Sequence, residues 1–280
     1  MKIQNMLAFS SLLALSAACG GSEDTGSNEE SSQPMETNVE RFADIQILRF
    51  EVPSWNKLSL KQKELVYYLS QAGLAGRDIN YDQNNRFNLE IRRALETIHE
   101  KYDGDKTTAD WKKFDEWSKQ VFFSNGIHHH YSMDKLRPKF SEAYLKKLMA
   151  AVEYNLSPEA LAAIFNPELE KKRKVKDPNV DMIVASANNF YGKGVTQKMV
   201  EDFYAGKQDP NDPKPIELGL NSTLVLKNGK LVEEVWKSNG KYGQAIDQII
   251  FWLKKAVKVA ENDQQADALK VLIDYYKTGD

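Results

Sequence analysis

The stretch that most limits what this chain can fold into is Gly20 to Glu40. It is rich in Gly, Ser and Asn and carries six acids, Glu23, Asp24, Glu29, Glu30, Glu36 and Glu40, with no Lys or Arg among them. Such a segment buries too little apolar surface to offset the entropy lost on ordering it. Any core must therefore be built from the residues C-terminal to it. As a flexible tether the stretch spans roughly 25 Å.

Ahead of the tether, Met1 to Ala18 has the anatomy of a secretion signal. Lys2 supplies a positive start, Met6 to Leu15 an apolar centre, and Ser16-Ala17-Ala18 the small residues before a cleavage point. The apolar run is too short for a transmembrane helix. Small residues running straight into Cys19, the chain's single cysteine, resemble the bacterial lipoprotein pattern, although Ser16 stands where Leu is more usual. That resemblance implies diacylation of Cys19, loss of residues 1–18, and a membrane-anchored protein of the cell envelope, periplasmic or surface-facing. The expected organisation is a signal at 1–18, a lipidated cysteine and acidic tether at 19–40, and a folded part at 41–280.

Of the 280 residues 41% are hydrophobic and 28% charged, for a formal net charge of −2. This is enough chain for one large domain or two small ones. The near-neutral balance points to no nucleic-acid partner, and one cysteine excludes an internal disulfide or a Cys-rich zinc site.

Within the folded part, Ala43 to Val52 alternates apolar and polar residues up to Pro53 and reads as a strand. Ser59-Leu-Lys-Gln62 is a capping box opening a helix that ends near Gly76. Arg77 to Asn84 is too polar and Asn-rich to continue it. Further helices are expected over about Leu89–Tyr102, Asp110–Phe122, from Ser141, and from Ser157-Pro158, where proline suits the first helical position. The run Glu168 to Lys176 reads as a solvated charged face. Asn188 to Gly194 is an unusual loop whose Gly192-Lys193-Gly194 lacks the spacing of a phosphate loop and fits a turn needing both glycines. Thr196 caps a short helix ending at Gly206. Ser222–Lys227 and Lys230–Trp236 flank Asn228-Gly229, the preferred pair for a type I′ hairpin turn. Two helices, Tyr242–Ala260 and about Gln264–Tyr276, close the chain. The fold class is α+β, mostly helical with a small antiparallel sheet.

Three of the four histidines lie together in Phe123-Ser-Asn-Gly-Ile-His-His-His-Tyr-Ser132. Adjacent histidines are good metal ligands, but neighbouring side chains diverge in either helix or strand. Only His128 and His130 are spaced to share an ion, and they would need carboxylates from elsewhere. The stretch thus reads as a metal site, a polar loop, or one wall of a ligand cleft. His99, on a charged helix face, is expected to be solvated.

Leu65-Val-Tyr-Tyr-Leu-Ser-Gln-Ala72, Gly76-Arg-Asp78, Tyr81-Asp-Gln-Asn84, Phe123 to Ser132, Phe190-Tyr-Gly192 and Tyr275-Tyr-Lys-Thr-Gly-Asp280 together resemble the bacterial branch of the dipeptidyl-peptidase III family. The resemblance runs from Phe42 to Asp280. It implies a two-lobed zinc exopeptidase that releases dipeptides from peptide N-termini, with this chain corresponding to the N-terminal part of the lower lobe. It implies that His130 and Tyr131, with Asn125 beside them, line the subsites for the peptide's first residues. The family's zinc motifs, His-Glu-x-x-x-His and a later Glu-Glu-Cys-Arg type, are absent from this sequence. The expectation is therefore a truncated copy with no metal ligand and no catalytic residue of its own, inactive alone. Its expected partners are peptides, the membrane and a complementary C-terminal segment. A non-catalytic, lipid-anchored binding protein is the alternative. The same expectation leaves the edges of the Ser222–Trp236 hairpin unpaired and the protein prone to aggregate.

Overall fold

Most helix starts are set by side-chain caps. Ser59 accepts from the Gln62 N–H at 3.2 Å while the Gln62 side chain accepts from the Ser59 N–H at 3.0 Å, the reciprocal capping box that opens α1, Leu60–Ala75. Thr108, Ser141, Ser157, Thr196 and Asn262 cap in the same sense α4 (Ala109–Ser124), α5 (Glu142–Ala151), α6 (Pro158–Phe165), α8 (Gln197–Ala205) and α10 (Asp263–Thr278). Between them lie α2 (Arg77–Asn84), α3 (Asn88–Lys101), the single turn α7 (Met182–Ala185) and α9 (Gly243–Lys258). The structure is a computed structural model describing residues 36–209, 211–214 and 217–280. The signal, Cys19 and most of the tether lie outside the described residues. Thr37–Asp280 forms one compact unit.

Two antiparallel hairpins complete the fold. β1 (Asn38–Phe42) pairs with β2 (Ile45–Leu48), and β3 (Ser222–Lys227) with β4 (Lys230–Val235). The second turns through Asn228 and Gly229, both at positive φ (50° and 76°), and pairs Lys227 with Lys230. The α+β class stands. One long strand over 43–52 does not form. Ala43, at φ 48°, turns the chain instead, and Phe42 pairs with Ile45. Asn38 to Glu40, assigned by composition to the tether, are strand residues. The β3–β4 hairpin also has less free edge than expected. The Leu224 N–H donates to Phe190 C=O at 3.2 Å and its C=O accepts from Gly192 N–H at 2.8 Å, so the Asn188–Gly194 loop covers β3.

The main core is built by α3 to α6 and the loops between them. Ile91, Leu95 and Ile98 of α3 meet Phe114, Trp117 and Val121 of α4, Leu145 and Leu148 of α5, and Ala160, Ala163 and Ile164 of α6. A second core joins Ala72 of α1 to Ile246, Ile249, Ile250 and Leu253 of α9 and Ile273 of α10. A small third one packs Leu224 on Val195 and Val200.

Three local expectations are corrected by tertiary contacts. Arg77–Asn84 is helical despite its polarity, because its polar groups find partners. Arg92 of α3 reaches Asp78 and lies 4.9 Å from the Tyr81 ring, and it bonds Glu96 at 2.7 Å. His99 is not solvated. Its ring stacks on Phe114 at 5.4 Å and lies near Trp111 and Phe122, and burial lowers its pKa against the pull of Asp115. Glu170, within the supposed solvated run, keeps a side chain only 11% exposed, held by Arg86 at 2.6 Å and Asn85 at 2.9 Å.

Candidate functional site

The histidine stretch begins where α4 stops. Asn125 takes the left-handed conformation (φ 52°) that terminates the helix, and its N–H returns to Phe122 C=O. Gly126 comes next at φ 140°, and a Cβ there would collide with the Asn88 side-chain amide. Glycine is needed for both reasons. The Asn88 side chain fills that space. Its oxygen accepts from Ile127 N–H at 3.1 Å and its amide donates to Tyr81 C=O at 3.0 Å. Asn84 donates to Asn125 C=O at 3.0 Å, and the Tyr81 hydroxyl to Phe122 C=O at 3.2 Å. The Asn-rich helix α2 is thus the bracket on which the loop is mounted.

From Ile127 the chain folds back on itself. Leu136 N–H donates to Ile127 C=O at 2.8 Å, and His129 N–H to Asp134 C=O at 2.8 Å. A third segment joins alongside, with Lys135 N–H on Lys171 C=O and Arg173 N–H on Met133 C=O. The base is locked from below by the Trp117 indole, which donates to Leu136 C=O at 2.9 Å. The Lys135 ammonium donates to the carbonyls of Ala163, Asn166 and Leu169 at the end of α6.

The three histidine rings have different jobs. His128 is buried, 1% exposed, and its Nε2 lies 2.8 Å from Glu170 C=O. A carbonyl can only accept, so the proton sits on Nε2, and burial pushes the pKa down to about 4. His129 is the organiser of the tip. Its Nδ1 accepts from the N–H groups of Tyr131 (3.2 Å) and Ser132 (3.1 Å), which leaves Nε2–H to donate to Asp44 at 3.2 Å in the β1–β2 turn. That bond holds the Asp44 carboxyl below its usual range. His130 is exposed, with its ring edge-on to Phe123 at 4.8 Å. Desolvation, and then the neighbouring His129, lower its pKa. Tyr131 is 86% exposed.

His128 and His130, the two rings spaced to share an ion, differ in setting, the first buried and the second exposed. His128 Nε2 is spent on a backbone carbonyl and both His129 nitrogens on two backbone N–H groups and a carboxylate, while the buried His128 Nδ1 has no hydrogen-bond partner among the described residues; no three His, Cys, Asp or Glu side chains among those residues gather as a metal requires. The groups still available at the tip are an exposed aromatic trio, Phe123, His130 and Tyr131. Asn125 sits half-buried below it, its carbonyl committed to Asn84 and Asn88. Such a surface suits a peptide segment through ring contact and hydrogen bonding.

Sequence reasoning missed a second polar cluster. The Asp82 carboxylate of α2 accepts from the Tyr242 hydroxyl at 2.5 Å and from the Asn189 amide at 3.0 Å, with Lys241 at 3.8 Å. Tyr242 holds φ 63° at the start of α9, and burial followed by Asp82 raises its pKa. No spacing rule links residues 82, 189 and 242. The available signal was the Asn-rich composition of 80–88.

No protein-family model and no curated protein matches this sequence. Among solved structures, the chain is similar to DPP III from Caldithrix abyssi, with a TM-score of 0.50 and 17% identity over 81% of this chain and 32% of that one. The likeness is one of fold, and the chain spans about a third of that protein's length.

Proposed function

We propose that this chain is the peptide-binding, lower-lobe portion of a dipeptidyl-peptidase III-like exopeptidase. The His130–Tyr131 tip and Asn125 form one edge of the cleft. The zinc and its ligands are supplied by polypeptide other than the described residues, so the chain by itself binds peptides without cleaving them. The observation that carries this reading is the fold likeness to DPP III over most of the chain. The exposed Phe123–His130–Tyr131 surface on a rigid, multiply bonded loop supports it, since a site needs accessible groups on a fixed frame. A partner segment bearing the zinc motifs would complete the cleft. In the same reading, acylation of Cys19 holds the protein at an envelope membrane.

Incubation of the full chain with an arginyl-arginyl reporter and added zinc tests the first part, and no hydrolysis above the metal-only control is expected. Turnover by the chain alone would overturn the division of labour. For the anchor, Cys19→Ser is expected to move the protein from the membrane to the soluble fraction of the producing cell. Unchanged fractionation would contradict it.

A further inference from the structure

The Gly192-Lys193-Gly194 turn is explained only in part by its role beside β3. Gly192 lies so close to the hairpin that a Cβ would meet Val225 at 3.1 Å, and Gly194 sits at φ 84°. These features fix the backbone but leave Lys193 exposed, without an ion-pair partner among the described residues. Lys193 stands at the rim of a pocket of about 240 Å³ between this turn, the single turn α7, and the Arg86–Glu170 pair.

The polar lining is unevenly satisfied. Both Glu170 oxygens are taken, one by Arg86 and the other by Asn85, so Glu170 has little to offer a cation. Arg86 spends one nitrogen on that pair, and its side chain is 52% exposed, which leaves further guanidinium N–H groups for a ligand. Tyr191 lines the same space and is half-buried. Burial raises its pKa, so it is present as a donor. The charged lining is Arg86 and Lys193 against Glu170, two positive charges and one negative, leaving one positive charge. Ile183, Val184 and Val195 add apolar lining.

We propose that this pocket binds a single small carboxylate bearing a short apolar group, held by Arg86 and Lys193 with the apolar group against Ile183, Val184 and Val195. One surplus charge matches one carboxylate better than a dianionic phosphate. The volume admits about eight water-sized units, enough for one residue-sized group and too little for a folded segment. The carboxylate can come from a peptide C-terminus or from a free organic acid, which are recognised by the same chemistry.

Calorimetric titration of the full chain with N-acetyl-alanyl-alanine, its C-terminal amide, propionate and inorganic phosphate decides the matter. The free acids are expected to bind, and the amide to bind at least about tenfold more weakly, as loss of one charge-assisted contact implies. The acetylated dipeptide binding more tightly than propionate supports a peptide end, and equal binding supports a free acid. Lys193→Ala is expected to weaken the acids about tenfold at unchanged melting temperature. Arg86→Gln is expected to do the same; if it unfolds the chain, the Lys193 variant decides alone. Equal affinity for acid and amide, tighter binding of phosphate than of the carboxylates, or an unaltered Lys193 variant would overturn the proposal.

Discussion

A buried imidazole with its proton fixed by a carbonyl couples the histidine loop to pH. Folded, the His128 ring titrates near 4; unfolded, it titrates near 6.5. Between those values the unfolded chain binds more protons, so stability is complete above about pH 6.5 and falls as the pH drops toward 4. The loss amounts to about 3 kcal/mol by pH 4. Urea unfolding at pH 7 and pH 4.5 is expected to show that fall, and His128→Gln should flatten it; equal pH slopes for the two proteins would remove His128 as the cause. Gly126 makes a second demand at the same scale. Gly126→Ala sets a Cβ against Asn88 at a φ of 140° and is expected to cost about 2–4 kcal/mol, read from the denaturation midpoint. Tyr131 is the opposite case. Exposed and outside the core, its replacement by Ala should change stability by no more than about 0.5 kcal/mol while weakening peptide binding.

At the scale of elements, legibility tracks the range of the forces involved. The Ser59–Gln62 capping box, the Asn228-Gly229 hairpin and the long amphipathic helices are local and are readable from spacing. Helix α2 is not, because what stabilises it is distant in sequence: Arg92 on Asp78 and Tyr81, and the asparagine bonds to the 122–127 loop. Arg92→Met is expected to speed hydrogen exchange across 77–84 while leaving the middle of α4 protected. That the histidine stretch forms a loop is legible in its Asn125-Gly126 pair. The reason its tip stands exposed, His129 bonded to two backbone N–H groups and to Asp44, depends on the β1–β2 turn far upstream. His99 and Glu170 mislead on the same ground, since a charged neighbourhood in sequence says little about burial in space. Lys135 shows how strongly one such group can bind elements together. Its ammonium serves three carbonyls at the α6 terminus, and Lys135→Met is expected to cost about 2–3 kcal/mol, measurable by thermal unfolding.

For the whole molecule, the helical cores are continuous within themselves, but the sheet component is small. β4 has β3 on one side and no strand on the other among the described residues. The charged side chains of Lys230, Glu233 and Glu234 along β4 blunt that edge, and Glu233 is tied to Lys207 and Tyr204. In the function proposed above, the fold presents a peptide at the His130–Tyr131 tip to chemistry supplied from elsewhere. The most direct test is an ¹⁵N chemical-shift titration of the full chain with a short peptide bearing a free N-terminus. The account predicts shifts concentrated at Asn125, His130 and Tyr131, lost in Tyr131→Ala at unchanged stability; shifts absent from that loop, or undiminished in the variant, would contradict it.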